Sequence, residues 1–330
     1  MAKIVKLEDK KREPNPLDRL SSLFEAEMKG VNAEIRARME SPVSLIPQLA
    51  GHLISAGGKR LRPLLTLAAS RLCGYEGENH IPLAACIEFL HTATLLHDDV
   101  VDDSDLRRGS ETANRIWGNE ASVLVGDFLF SRSFQVMSEH GTMQIMKIIA
   151  DASAAMAEGE VLQLMTMGEV GTDEETYLRI VTAKTAVLFS VACRIGPKLA
   201  EKPATYDDAL DSYGRNLGIA FQLIDDALDY SAVQEELGKT IGDDFREGKI
   251  TLPVLLAYRR GEGDERAFWE RTIRDHEQDE SDLKTALELM EKHKALEDTL
   301  ERARHFAARA KDALGLFPDS ELRSVMCDVV

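Results

Sequence analysis

Two short aspartate-rich segments constrain this chain most, because each lies inside an otherwise apolar stretch with helical periodicity. The first segment, Asp-Asp-Val-Val-Asp, occupies residues 98–102, and the second, Asp-Asp-Ala-Leu-Asp, occupies residues 225–229. On a helix the carboxylates at positions i and i+4 lie one turn apart and repel each other. Buried carboxylates are paired, protonated or metal-bound. The pattern therefore predicts a positive partner at each segment, and two such segments facing each other would form a carboxylate-lined cavity.

Magnesium is the positive partner that best suits these carboxylates. Mg²⁺ usually keeps several waters and binds through one or two carboxylates plus substrate phosphates. The alternative is a solvated acidic helix end. Apolar neighbours such as Leu95, Leu96, Val100 and Val101 make that alternative unattractive, because they indicate that the segment is buried.

The rest of the chain also carries helical periodicity, and alternating strand patterns are absent, so we predict an all-α fold. A first helix is expected at residues 17–39, opening at Pro16. The cationic box at residues 59–63 is expected to begin the third helix. The further predicted helices occupy residues 44–56, 80–103, 119–139, 142–168, 173–200, 203–230, 264–277, 280–293, 296–314 and 319–329.

Length and composition limit the class of protein. The chain has 330 residues and no linker-like segment, so we expect one large domain at 17–330 after a flexible leader at 1–16. A formal charge of -17 argues against a nucleic-acid partner. No apolar run is long enough for a membrane span, although peripheral membrane contact stays open. Four widely spaced cysteines indicate reduced thiols and a cytoplasmic location.

Several cations are placed to serve an anion near the acidic segments. Lys59 and Arg62 lie at a predicted helix start, where cations oppose the helix dipole unless an anion is bound there. This stretch does not match a phosphate-binding Gly-x-x-x-x-Gly-Lys-Ser/Thr loop, since Arg60 stands where the Ser/Thr is required. His91 lies two helical turns before Asp98 and could be either a core histidine or a site residue.

Further cations follow each acidic segment. Arg107 and Arg108 leave the first helix and can either form salt bridges with the aspartates or clamp a diphosphate. Lys184 interrupts the apolar run 180–193 and is expected to reach a polar interior. Lys239 and Lys249 return two cations towards the second segment.

This inventory describes a site that ionises a diphosphate. It combines two aspartate clusters with convergent cations, and it contains no nucleophilic triad and no cofactor motif. Metal ions and cations would stabilise the charge that develops on a departing diphosphate. Apolar helices would supply a water-excluded cavity for the carbocation that remains.

The motifs, taken together, closely resemble the trans-type polyprenyl diphosphate synthases over almost the whole chain. The matching segments are Gly-Gly-Lys-Arg-Leu-Arg-Pro at 57–63, the acidic segment at 98–102 with Arg-Arg-Gly at 107–109, Gly-Asp-Phe-Leu at 126–129, Gly-Glu-Val-Leu-Gln at 159–163, Lys-Thr at 184–185 and Phe-Gln-x-x-Asp-Asp at 221–226. The resemblance implies an isoprenoid synthase fold, a helical bundle around a deep cavity, usually a homodimer. It also implies condensation of isopentenyl diphosphate with an allylic diphosphate, using Mg²⁺.

The resemblance also implies roles for individual residues. Asp98 and Asp102 would hold two Mg²⁺ ions and Asp225 a third. The supporting aspartates would be Asp99, Asp226 and Asp229. The allylic diphosphate would be held by Arg107, Lys184 and Lys239, with Thr185, Gln222 and Lys249 close by. Isopentenyl diphosphate would be held by Lys59, Arg62, His91 and Arg108. Lys184, Lys239 and Asp225 are the residues expected to act in catalysis.

Two small residues favour a long product. The growing chain would run along the helix of Asp98, so Ala93 and Thr94, about one turn earlier, decide whether the cavity is closed. Short-chain members of the family carry bulky aromatic residues there. We therefore expect a product of the octaprenyl to decaprenyl class, serving as a ubiquinone side chain.

The alternatives are a shorter-chain farnesyl or geranylgeranyl diphosphate synthase, a non-catalytic subunit of a heteromer, a di-metal carboxylate oxidase and a terpene cyclase. A di-metal site would use Glu88-x-x-His91, but it needs a second copy of that element, which the sequence lacks. The intact acidic segments disfavour an inactive subunit. A terpene cyclase would not need the second cationic site.

Overall fold

The computed structural model describes residues 15–55, 58–107, 109–231 and 241–330, and in these ranges the chain is almost entirely helical. The predicted all-α class is confirmed. One small departure is a two-stranded antiparallel pair, Leu106–Arg107 with Ser110–Glu111, in which Leu106 is opposite Glu111. This hairpin directly follows the helix that carries the first acidic segment.

The helices are named in chain order. They are α1 Pro16–Leu23, α2 Glu25–Arg38, α3 Leu45–Ser55, α4 Leu61–Leu72, α5 His80–Val101, α6 Ala113–Trp117, α7 Asn119–His140, α8 Met143–Thr166, α9 Glu174–Val181, α10 Val187–Leu199, α11 Ala204–Asp229, α12 Asp243–Arg246, α13 Leu252–Arg260, α14 Asp264–Trp269, α15 Asp282–Lys292, α16 Ala295–Ala313 and α17 Glu321–Asp328. π-Helical turns occupy Thr182–Ala186 and Glu270–Arg274, and a 3₁₀ turn occupies Leu314–Leu316.

The predicted first helix is divided in two. Asn15 caps α1, since its side chain accepts a hydrogen bond from the backbone N–H of Leu17 at 3.0 Å, and Pro16 occupies the first turn. The helix is interrupted at Phe24, whose φ of -123° is not helical. Phe24 is fully buried. The prediction of one continuous helix over 17–39 was therefore wrong at this residue.

Helix α13 was missed by the sequence analysis. Every residue from Leu252 to Ala257 is buried. A helix that is apolar on all sides has no amphipathic period, so its pattern is weak. The two shortest helices, α6 and α12, were missed as well.

Helix α11 connects the two hydrophobic cores of the described chain. Tyr213 and Leu217 in its middle belong to a first core, together with residues of α1–α5, α7, α8 and α10. Ile219 and Leu223, further along, belong to a second core built mainly from α9 and α13–α16. The second core therefore holds the part of α11 that carries the second acidic segment.

Several hydrogen bonds attach α5 to α7, and two of them involve the side chains of Cys86 and Ser122. The Cys86 thiol donates to the carbonyl of Ser133 at 3.6 Å, and the Ser122 hydroxyl donates to the carbonyl of Leu96 at 3.0 Å. The second bond lies beside the first acidic segment. It fixes the carboxyl-terminal turn of α5 against a neighbouring helix.

Glycines allow a close approach around the π-helical turn at Thr182–Ala186. A Cβ atom at Gly159 of α8 would lie 2.8 Å from the Cβ of Ala183, and one at Gly218 of α11 would lie 2.6 Å from the Cα of Ala186. Both distances are too short for a side chain. The turn is thus packed between α8 and α11, and π-helical turns occur frequently at functional sites.

The structure also bears on the predictions about the cysteines and about membrane spans. Cys73, Cys86 and Cys193 are buried, Cys327 is partly buried, and all four are free thiols. Among the described helices, none combines the length and the apolar character that crossing a bilayer requires.

Candidate active site

The first acidic segment ends α5 and directs two aspartates towards lysines. Asp98 Oδ2 lies 3.7 Å from Lys184 Nζ, and Asp102 Oδ2 lies 3.7 Å from Lys249 Nζ. The two carboxylate side chains are only 15% and 18% exposed. Because α5 places them one turn apart, each meets a separate cation.

Asp99, the next residue after Asp98, is buried and only 1% exposed. Its Oδ1 accepts a hydrogen bond from Nε of Arg107 at 2.8 Å and lies 2.7 Å from Nη2 of the same guanidinium. Its other oxygen, Oδ2, is buried and has no hydrogen-bond partner. Asp99 therefore attaches the hairpin to the end of α5, and it retains one buried oxygen without a donor.

Lys184 lies between two acidic side chains. Its Nζ donates to Glu160 Oε2 at 2.7 Å and lies 3.7 Å from Asp98 Oδ2. The π-helical turn carries Lys184, and Gly159, the residue before Glu160, packs against that turn. The expectation that Lys184 reaches a polar interior is thus met. Its closer partner, Glu160, was not assigned a role from sequence.

Burial raises the pKa of Asp98 to about 6. The neighbouring acids Glu160 and Asp102 add to the increase, while the charge of Lys184 opposes it. One lysine therefore does not fully compensate the negative charge at this end of α5.

The second acidic segment presents its three aspartates differently. Asp225 is exposed, whereas Asp226 and Asp229 are 3% and 7% exposed. The Tyr177 hydroxyl and the Gln222 side-chain amide both donate to Asp226, the amide at 2.8 Å. The backbone N–H of Asp244 donates to Asp229 at 3.0 Å. Of the three aspartates, only Asp225 is exposed to solvent.

Burial raises the pKa of both inner aspartates, Asp226 and Asp229, to about 6. The hydrogen bonds from Gln222 and Tyr177 partly oppose this effect at Asp226. The charge of Asp225 contributes to the increase at both residues. The second segment therefore also carries negative charge that the described residues do not fully compensate.

Lys249 brings the two acidic segments together. Its Nζ lies 3.7 Å from Asp102 Oδ2 and 3.9 Å from Asp244 Oδ1, and it also pairs with Glu247. Asp244 in turn is bound through its backbone to Asp229. A continuous set of contacts therefore runs from the first segment to the second. These contacts bring the two acidic segments close together, as the sequence predicts.

The electrostatics of this bridge are strongly coupled. Burial alone would lower the pKa of Lys249, but the carboxylates of Asp244, Glu247 and Asp102 outweigh burial and raise it. Burial raises the pKa of Asp244 well above its ordinary value, and the charge of Asp229 adds to that effect. The lysine therefore stays charged while acids accumulate around it.

Other predicted residues lie beside these clusters. The Thr185 hydroxyl donates to Gln222 Oε1 at 2.9 Å, which links the π-helical turn to α11. The Arg62 guanidinium lies 3.1 Å from His91 Nε2 and 4.3 Å from the centre of the Phe189 ring. The predicted neighbours Arg62 and His91 are thus in contact.

The remaining predicted site residues are Lys59, Ala93, Thr94, Arg108 and Lys239. Lys59 is exposed and directly precedes Arg60, the N-cap residue of α4. Ala93 is 1% exposed and belongs to the first core, and Thr94 is half-buried. Arg108 and Lys239 fall outside the residues that the structure describes.

Sequence reasoning missed three residues that shape this site: Glu160, Tyr177 and Asp244. Asp244 had the clearest signal, because Asp243 and Asp244 form a further Asp-Asp pair shortly before Lys249. Glu160 lies within a segment that carries the family resemblance. Tyr177 had no signal, since an isolated tyrosine on an amphipathic helix is ordinarily a core residue.

The site offers oxygen ligands suited to a hard divalent cation. No three acidic, histidine or cysteine side chains in the described ranges already converge as a metal site. Lys184 and Lys249 instead lie against the aspartates. The raised pKa of Asp98 and the unpartnered oxygen of Asp99 nevertheless indicate room for additional positive charge.

Comparison with known proteins shows similarity over nearly the full length. The family model described as polyprenyl synthetase matches residues 43–290. Octaprenyl diphosphate synthase of Haemophilus influenzae is 44% identical over 317 residues, which cover 96% of each chain. Octaprenyl diphosphate synthase of Escherichia coli is 46% identical over 310 residues, covering 94% of this chain and 96% of that protein.

Solved structures are also similar to this chain over nearly its full length. A decaprenyl diphosphate synthase from Rhodobacter capsulatus superposes with a TM-score of 0.92 at 51% identity, covering 95% of this chain and 97% of that chain. A polyprenyl synthase from Caulobacter crescentus, complexed with calcium and isoprenyl diphosphate, has a TM-score of 0.92 at 52% identity. It covers 96% of this chain and 97% of its own.

Proposed function

The chain belongs to the polyprenyl synthetase family and is a long-chain trans-prenyltransferase, and we propose that its two acidic segments act together on one allylic diphosphate. The observation that carries this proposal is the position of Lys249, in contact with Asp102 and with Asp244. A diphosphate between the segments would meet this lysine and carboxylate-bound cations simultaneously. Isopentenyl diphosphate is the second substrate.

We propose three Mg²⁺ ions per active site, bound by the two segments. Asp98 and Asp102 would hold two of them and the exposed Asp225 the third, with Asp99, Asp226 and Asp229 in support. Incompletely compensated carboxylates on both segments support this assignment, as does the calcium in the Caulobacter crescentus relative. Bound Mg²⁺ would neutralise charge on the diphosphate as it departs.

The protein's own cations would hold the allylic diphosphate. Lys184 approaches from the π-helical turn, Lys249 from the loop before α13 and Arg107 from the hairpin. Fixed positive groups that face a developing negative charge stabilise the transition state most when water is excluded. Lys239, Thr185 and Gln222 would complete this set, and Lys239 lies outside the described residues.

Lys59, Arg62 and His91 would bind the diphosphate of isopentenyl diphosphate, with Arg108. The contact between Arg62 and His91 supports a shared role for these two residues.

The proposed reaction exchanges a C–O bond for a C–C bond. The allylic C–O bond breaks, the isopentenyl double bond attacks the allylic carbon to form a C–C bond, and a proton is lost to the released diphosphate.

The product is proposed to be of the octaprenyl to decaprenyl class, used as a ubiquinone side chain. The names of the Haemophilus influenzae, Escherichia coli and Rhodobacter capsulatus relatives support this range. Small side chains at Ala93 and Thr94 on α5, before Asp98, support it as well, because they leave room for a long chain.

We further propose that the protein works as a homodimer in the cytoplasm. Exposed apolar side chains on α7 and α8 support self-association: Leu124 is 66% exposed, Phe134 48% and Met143 78%.

The activity is tested by incubating the purified protein with Mg²⁺, farnesyl diphosphate and radiolabelled isopentenyl diphosphate, followed by sizing of the product. We expect octaprenyl to decaprenyl diphosphates, and no turnover when EDTA is in excess. Farnesyl or geranylgeranyl-sized products alone would contradict the long-chain assignment. Turnover that is unaffected by EDTA would contradict the metal assignment.

A further inference from the structure

Glu88 forms an ion pair with Arg60, and neither residue has a role in the proposed reaction described above. It lies on α5, three residues before His91, and its Oε1 accepts a hydrogen bond from Arg60 at 2.6 Å. The two side chains are only 17% and 13% exposed, so this ion pair is shielded from water. Such a pair loses less to screening than a surface pair does.

Arg60 has an unusual backbone conformation. Its φ of 47° and ψ of 38° lie in the left-handed region, which residues with a side chain adopt rarely. Its carbonyl already accepts the first hydrogen bond of α4, from Leu64 at 3.1 Å. Strained backbone conformations persist where surrounding interactions hold them, and they cluster at functional sites. The ion pair with Glu88 fixes the guanidinium end of this residue.

The strained residue lies within the cationic box. Lys59 immediately precedes it and Arg62 follows two positions later. A change in the backbone angles of Arg60 would therefore reorient Lys59 relative to α4. The box is thus attached to α5 at two points, through Arg60 with Glu88 and through Arg62 with His91.

We infer that Glu88 is a positioning residue for the isopentenyl diphosphate site. By holding Arg60 in its left-handed conformation, it directs Lys59 towards the diphosphate that Arg62 and His91 also face. The inference rests on the proposed function of that site. It also gives the Glu-x-x-His element a role that differs from metal binding, because Glu88 pairs with an arginine in this structure.

The test compares the Glu88→Gln variant with wild type in steady-state kinetics. Glutamine keeps the size of the side chain and removes its charge. We expect the KM for isopentenyl diphosphate to rise about tenfold, which corresponds to loss of one charge-assisted interaction. The kcat and the KM for the allylic diphosphate should stay within about twofold, since the other diphosphate site is untouched.

Two arginine variants and a control complete the design. Arg60→Gln should reproduce the effect, Arg60→Lys should retain most of the wild-type KM, and the double variant Arg60→Gln with Glu88→Gln should be no worse than either single variant. The control is Asp207→Asn, because Asp207 forms a shielded 2.9 Å ion pair with an arginine of another helix, Arg194, and lies in the first turn of α11, at the opposite end from the second acidic segment. It should leave both KM values unchanged.

The outcomes are distinguishable. An unchanged KM for isopentenyl diphosphate in Glu88→Gln and Arg60→Gln, with wild-type turnover intact, would overturn the inference alone. Equal changes in both KM values and in kcat, together with a lower melting temperature, would show a purely structural ion pair and would overturn it too. If the wild-type protein did not use isopentenyl diphosphate, the proposed function would fail and the inference with it.

Discussion

The ammonium group of Lys249 lies 3.7 Å from the carboxylate of Asp102, although 147 positions separate the two residues in the chain. This contact joins the loop beyond the second acidic segment to the first segment. Because Lys249 also lies 3.9 Å from Asp244, one cation serves carboxylates from both sides of the site.

Removing the bridging cation should destabilise the metal-free protein. In Lys249→Met the carboxylates of Asp102 and Asp244 lose a shared partner, so we expect the free energy of unfolding to fall by about 1–3 kcal/mol. Added Mg²⁺ should reduce the difference, since it would supply the missing charge. Urea denaturation with EDTA and with Mg²⁺ measures both effects.

Lys147→Met is the matched control for this experiment. Lys147 pairs with Asp151 at 2.7 Å, but both side chains are well exposed, at 72% and 62%. Its loss should change the free energy of unfolding by no more than about 0.5 kcal/mol. Equal effects of the two lysine variants would show that Lys249 is an ordinary surface cation.

Stability of the metal-free protein should fall as the pH rises. The pKa values of Asp226 and Asp229 are about 6 in the folded protein, against an ordinary value of 3.8. The folded state therefore holds these protons more tightly than the unfolded chain does. Their contribution is complete below about pH 4 and is lost as the pH rises through about 6.

Thermal melting in EDTA at about pH 5 and about pH 7.5 tests this prediction. We expect the higher melting temperature at the lower pH, and a smaller difference in the double variant Asp226→Asn, Asp229→Asn. Carboxylates with lowered pKa values, such as Asp207 and Asp282, lose their contribution only at more acidic pH and lie outside this window. A wild-type melting temperature that rises from pH 5 to pH 7.5 would contradict the prediction.

Lys184 should contribute strongly to turnover. Its Nζ lies between Glu160 and Asp98, beside a carboxylate that is proposed to bind Mg²⁺ and the departing diphosphate. We expect Lys184→Met to lower kcat by about 10²–10³-fold, as for other fixed groups that stabilise a developing negative charge. Lys184→Arg should retain part of the activity because it keeps the charge. A kcat for Lys184→Met within about threefold of wild type would remove this residue from the mechanism.

A bulky side chain at Ala93 should shorten the product. Ala93 is 1% exposed on α5, before Asp98, so phenylalanine there would fill space along the proposed path of the chain. The Ala93→Phe product, sized by chromatography of radiolabelled material, should contain fewer isoprene units than that of wild type. Ala84→Phe, at an equally buried position of the same helix, should leave product length unchanged. Unchanged length in Ala93→Phe would refute the cavity-floor argument.

The helices and the two acidic segments could be predicted because their signals are local. A period of 3.6 residues identifies amphipathic helices, and aspartates among apolar residues stand out in any sequence. Helix α13 gave no such signal, since Leu252 to Ala257 are all buried. The break at Phe24 and the π-helical turn at Thr182–Ala186 depend on packing, which periodicity does not report.

The division of roles among the aspartates could not be predicted either. Asp98 and Asp99 are adjacent in sequence, yet the first faces Lys184 and the second is buried against Arg107. Asp226 is enclosed by Tyr177 and Gln222, while Asp225 is exposed. Which neighbour surrounds each carboxylate is decided by the packing of distant helices. The contacts of Glu160 and Asp244 depend on the same packing, although both residues lie in segments that carried a signal in the sequence.

The most direct test of joint action by the two segments is calorimetric. The dissociation constant of a non-ionisable thio analogue of farnesyl diphosphate would be measured in Mg²⁺ for wild type, Asp102→Asn, Asp225→Asn and the double variant. We predict that each single change weakens binding by about tenfold or more, and that the double change weakens it by less than the product of the two. Wild-type affinity in either single variant, or strictly independent losses, would contradict a diphosphate site shared by both segments.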